Sequence, residues 1–160
     1  MSASQPYILR PPRVEELARV SALMLRSKAH WGYDATFMRA CVAELTMTAA
    51  DLMRDDCMLA CDGDRMLGVA QVSCDGGIAE LEALFVDPVA MGRGVGRRLF
   101  DWATGAAIAH GARSLVIVAD PDAEPFYQRM GAVPAGTTPS GSIPGRHLPR
   151  LTLTLSDTGA

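Results

Sequence analysis

Between Leu84 and Phe100 the chain reads LFVDPVAMGRGVGRRLF, and this segment restricts the fold more than any other. An apolar run stops at Asp87-Pro88, where proline has no N–H to offer a strand ladder. A loop follows with glycine at 92, 94 and 96, and a helical pattern begins at once with Leu99, Trp102, Ala103 and Ala106 on its apolar face. A strand, a glycine-rich turn and a helix start therefore come in immediate succession. Glycines leave backbone N–H groups unobstructed, and a helix start adds free N–H groups and a favourable dipole. With Arg93, Arg97 and Arg98 nearby, the turn is suited to a phosphate or pyrophosphate. A Walker A loop is excluded because no Gly-Lys-Ser/Thr follows. A dinucleotide fingerprint fails because its third glycine would fall on Arg97 or Leu99.

The surrounding pattern predicts a mixed α/β fold. Tyr7 to Arg10 reads as a strand, and Val14 to Leu25 as a helix. Asp34 is a suitable cap for a second helix reaching about Met47. Cys57–Cys61, Met66–Ser73 and Ile78–Val86 are apolar runs joined by Asp62-Gly63-Asp64 and Asp75-Gly76-Gly77, so they form an antiparallel meander. After the helix ending near His110, Ser114–Ala119 is a strand, Asp122–Met130 a short helix, Ala135–Gly145 a loop and Leu151–Leu155 a last strand. The expected architecture is one domain over residues 1–160, of the α/β (α+β mixed) class. Its central sheet is mixed but mostly antiparallel, and helices flank it.

Composition narrows the function. The chain has 160 residues, 49% of them hydrophobic, enough for a core without disulfide or metal staples. A net charge of −3 argues against general nucleic-acid binding. No apolar run is long enough to span a bilayer and no secretory leader is visible, so the expected location is the cytoplasm, away from the membrane. Cys41, Cys57, Cys61 and Cys74 form no C-x-x-C pair and the three histidines are scattered, so no metal site is expected. The cysteines read as small buried hydrophobes.

The segment Met91-Gly92-Arg93-Gly94-Val95-Gly96 resembles the acyl-CoA-binding motif Q/R-x-x-G-x-G/A of the GCN5-related N-acetyltransferase (GNAT) superfamily, with Met91 in place of Gln or Arg. A second stretch, Asp120 to Gly131, is similar to the family's N-x-x-A-x-x-F-Y-x-x-x-G-F segment. Ala123, Phe126, Tyr127 and Gly131 match it, while Asp120 replaces Asn and Ala132 replaces Phe. The resemblance implies a GNAT fold and transfer of acetyl from acetyl-CoA to a primary amine by direct attack in a ternary complex. It also implies cofactor contacts at Leu84, Phe85, Val86, the loop 91–96, Arg97, Asp120 and Tyr127.

For such chemistry Tyr127 is the expected general acid, because a phenol remains a proton donor at neutral pH. Glu80 and Glu82, two apart on one strand and so on one face with Leu81 and Ala83 on the other, are the base candidates. Glu82 is preferred as nearer the cofactor end; the alternative is a pair of solvated surface carboxylates. His30, Trp31 and Tyr33 concentrate aromatic groups between the first two helices and are expected to contact the acceptor, as is Arg146. His30 is a further base candidate. A small amine is the expected acceptor, with a peptide N-terminus or a CoA-binding module without turnover as alternatives. A homodimer through the C-terminal strand is a further expectation.

Overall fold

A computed structural model describes residues 6–156. Its seven strands are β1 (Ile8–Arg10), β2 (Asp56–Asp62), β3 (Arg65–Asp75), β4 (Ile78–Val86), β5 (Ser114–Val118), β6 (Val133–Pro139) and β7 (His147–Thr154). They form one sheet in the order β1-β2-β3-β4-β5-β7-β6. Only β4 and β5 run parallel, joined by the crossover through α4 (Val95–Ala109). Every other pair is antiparallel. The meander stands as expected, with Gly63 (φ 59°) and Gly76 (φ 62°) in its two tight turns.

Helices cover both faces. On one, α1 (Leu17–Ala29) and α2 (Ala35–Cys41) bury Val20, Leu23 and Cys41 against Leu59, Val69 and Ala83. On the other, α4 buries Val95 and Leu99 against Ala60, Leu67 and Ala70. Its Phe100 and Ala103 meet Leu81, Ile117 and Tyr127 of α5 (Glu124–Arg129).

Several boundaries differ from expectation. The second helix stops at Cys41, and a separate α3 (Ala49–Arg54) follows. Thr46 Oγ1 donates to the Val42 carbonyl at 2.6 Å, competing with the backbone for that acceptor. Thr48 and Asp51 then build a capping box that starts α3 afresh. The segment expected to be a loop from Ala135 to Gly145 instead begins inside β6, which runs Val133–Pro139. Pro134, Gly136 and Pro139 resemble breakers, yet β6 is an edge strand, where proline is tolerated. β7 bonds to β5 on one side and to β6 on the other. Cys41, Cys57 and Cys61 are buried, but Cys74 is exposed near the end of β3.

One irregularity sets up the site. In the β3–β4 ladder Gln71 faces Ala83 while Val72 faces Leu81, so Glu82 is an extra residue on β4. This β-bulge reverses the inward side of the strand. Leu81 packs toward α4, whereas Ala83 packs toward α1. The expected simple alternation of Leu81 and Ala83 on one face therefore fails at Glu82. Pairing between β4 and β5 also ends here, at Leu81↔Ile117, although β4 continues to Val86.

Candidate active site

Beyond Leu81 the two parallel strands part, and the backbone edge of β4 from Glu82 to Val86 has no strand partner on that side. The gap opens into a cleft of about 670 Å³. β4 supplies one wall, from Glu80 to Val86, and the glycine loop closes one end. Val118, Ala119 and Asp120 at the end of β5 supply the opposite wall, with Phe126 and Tyr127 of α5.

The glycine loop takes its shape from backbone demands. Gly92 (φ 86°) and Gly94 (φ 78°) occupy the left-handed region that side chains disfavour. Gly94 caps α4, whose Arg98 N–H donates to the Gly94 carbonyl at 3.0 Å. The N–H groups of Val95, Gly96 and Arg97 precede that first bond and are the unsatisfied donors of a 15-residue helix. Arg97 lines the cleft. Arg93 does not: its guanidinium lies 4.0 Å from Asp62 and over the Tyr7 ring. Arg98 is likewise turned away, donating to the Tyr7 carbonyl at 3.0 Å.

Tyr127 is 7% exposed, lines the cleft and packs edge-on against Phe126. Its hydroxyl has no hydrogen-bond partner among the described residues. Burial raises its pKa well above the ordinary phenol value, so it stays protonated. Across the cleft, Glu80 and Glu82 both line the wall. Burial raises the Glu82 pKa; the 2.8 Å hydrogen bond from Ser73 opposes that rise, and the neighbouring Glu80 carboxylate adds to it. An acid held neutral and a carboxylate moved toward neutrality thus line the same cleft.

The acceptor candidates divide. Trp31 lines the cleft. Tyr33 and Arg146 reach it only through Asp120: the Tyr33 hydroxyl donates to Asp120 Oδ2 at 2.6 Å, and Arg146 Nη2 donates to Tyr33 Oη at 2.8 Å. Burial, with the Asp120 carboxylate beside it, pushes the Tyr33 phenol up to about 12. His30 is exposed, packs edge-on against Trp31 and does not line the cleft. Sequence reasoning missed Lys28 and Glu44. Lys28 lies on α1 and contacts Asp120 Oδ2 at 3.3 Å. Glu44, in the turn after α2, lines the cleft and accepts the Ser142 hydroxyl of the β6–β7 loop. Neither belongs to a motif, and only the folded loops bring them here.

Among the described residues no three His, Cys, Asp or Glu side chains gather as they would around a metal ion. No helix there is long and apolar enough to cross a membrane.

Residues 22–138 match the acetyltransferase (GNAT) domain. The chain belongs to the GNAT acetyltransferase family. Solved structures agree with this acetyltransferase's fold. A GCN5-related N-acetyltransferase of Rhodopseudomonas palustris shares 26% identity and a TM-score of 0.77, over 97% of this chain and 99% of that one. PaiA N-acetyltransferase of Thermoplasma acidophilum, solved in complex with coenzyme A, is 14% identical with a TM-score of 0.75, over 93% and 99%. The ribosomal-protein-S18-alanine N-acetyltransferase of Escherichia coli is 17% identical with a TM-score of 0.70, over 96% and 97%. No curated protein sequence matches this GNAT acetyltransferase.

Proposed function

We propose that this GNAT acetyltransferase moves an acetyl group from acetyl-CoA to the primary amine of a small molecule, by direct attack with both substrates bound. The observation that carries the reading is the parting of β4 and β5 beside the glycine loop. The unpaired edge of β4 from Glu82 to Val86 suits an extended, amide-bearing arm, which pairs with it as an added strand would. The free N–H groups of Val95, Gly96 and Arg97, with the Arg97 guanidinium, suit a pyrophosphate. Residues fit for such a cofactor therefore line one continuous cleft.

When bound, acetyl-CoA supplies an activated thioester. The chain supplies proton management and positioning. Glu82, assisted by Glu80, takes the proton that the amine loses as its nitrogen bonds to the acetyl carbon. Tyr127 gives its phenolic proton to the sulfur as the carbon–sulfur bond breaks. Trp31 and Glu44, which line the cleft, bound the acceptor.

Free-thiol release from acetyl-CoA, measured over a panel of amino acids, polyamines, aminoglycosides and N-terminal peptides, tests the reading. Calorimetry with CoA runs beside it. Turnover with one class of small amine is expected. Peptide-only turnover overturns the acceptor assignment, and absence of CoA binding overturns the whole reading.

A further inference from the structure

Asp120, at the end of β5, ties together several segments that border the cleft. Its Oδ2 receives the Tyr33 hydroxyl at 2.6 Å and Lys28 Nζ at 3.3 Å, and Arg146 Nη2 lies 3.8 Å away. Its Oδ1 accepts the Asp122 N–H at 3.0 Å, capping the Pro121–Ala123 turn that leads directly into α5 and Tyr127. Two donors, Tyr33 and Lys28, and one nearby cation, Arg146, thus come from three separate segments: the approach to α2, α1 and the loop before β7. Tyr33 stacks on Phe37 at 4.0 Å, and Lys28 and Arg146 both lie over that aromatic pair. The Lys28, Asp120 and Arg146 side chains are 15%, 13% and 20% exposed, so the cluster is largely withdrawn from solvent. Burial alone would raise the Asp120 carboxyl. The Tyr33 bond, the Asp122 N–H and Lys28 outweigh it and keep the group ionised. Both carboxylate oxygens are thus engaged within the protein.

We propose that Asp120 is a positioning residue of the acetyl-transfer site: it holds the acceptor-side segments against the helical turn that presents Tyr127. This rests on the acetyltransferase reading above, and it gives the Asp120 side chain a role other than cofactor contact. The physical reason is charge. An Asn here keeps one acceptor for the cap or for Tyr33. Its amide, however, turns N–H donors toward two cations that then lack a counter-charge.

Asp120→Asn is the test, read in three ways: CoA affinity by calorimetry, steady-state kinetics, and hydrogen exchange over segments 27–37 and 140–148. The kinetics use the panel amine that the wild type acetylates fastest. The KM for that amine is expected to rise about tenfold, with kcat changed less and CoA affinity within about twofold of wild type. Exchange should quicken in both segments but not over 91–97. Tyr33→Phe removes a single hydroxyl and should show the same pattern at smaller amplitude, and Arg146→Lys should lose less than Arg146→Gln. Weaker CoA binding with an unchanged amine KM would make Asp120 a cofactor contact and overturn the proposal. So would unaltered exchange in segment 140–148. A wild type that binds CoA yet acetylates no panel amine refutes the function reading alone, and the exchange and CoA measurements still decide the role of Asp120.

Discussion

The Ser73 hydroxyl donates to Glu82 Oε1 over 2.8 Å, reaching from β3 to the bulged residue of β4. This bond stabilises the charged carboxylate, while burial and the neighbouring Glu80 disfavour it. A base works only when deprotonated. Ser73→Ala therefore raises the Glu82 pKa and moves the acidic limb of the kcat/KM profile to higher pH, with a several-fold loss of rate at its foot. Glu80→Gln removes a like charge and moves that limb to lower pH. Profiles that superimpose on wild type in both variants would exclude Glu82 as the base.

Tyr127→Phe separates catalysis from packing. The ring is held by Phe100 and Phe126, and the hydroxyl gives up no protein hydrogen bond. The melting temperature and CoA affinity should stay near wild type while kcat falls about 100-fold or more. A kcat within threefold of wild type would remove Tyr127 as the acid.

Two glycines of the same helix should respond in opposite directions. Gly94 caps α4 at φ 78°, so Gly94→Ala forces a side chain into the left-handed region at a cost of about 1–2 kcal/mol. Its effect on CoA affinity should be a loss of about tenfold, which calorimetry reads. Gly105 is exposed within α4, and nothing lies within 4 Å of an added Cβ. Gly105→Ala should stabilise the fold by about 0.5–1 kcal/mol in urea unfolding.

Arg10 holds Glu16 with two bonds of 2.9 and 2.6 Å, and the Arg13 N–H donates to the same carboxylate at 2.8 Å. The Arg10 bond, against an opposing contribution from burial, lowers the Glu16 pKa to about 2. Because the folded value lies below the unfolded one, the stabilisation is complete above the unfolded carboxyl pKa and fades as pH falls toward about 2. Glu16→Gln should cost about 2 kcal/mol at pH 7 and much less at pH 2.5. Equal losses at both values would show that the pair contributes no charge-dependent stability.

What the sequence determined by itself was local or motif-borne. Turn chemistry at Gly63 and Gly76 specified the meander, and proline and glycine punctuation specified the strand–loop–helix around Gly92, Gly94 and Gly96. The Ala123, Phe126, Tyr127 and Gly131 spacing placed the aromatic pair on α5. Each depends on φ/ψ preferences or helical periodicity within a few residues. Tertiary structure decided the rest. β6 exists because a sheet edge tolerates the prolines that its sequence carries. The bulge at Glu82 and the parting of β4 from β5 arise from how three strands fit together, and no single strand's pattern encodes that. Lys28, Tyr33, Asp120 and Arg146 meet although they span more than a hundred residues of chain, since ion pairs depend on distance in space rather than in sequence.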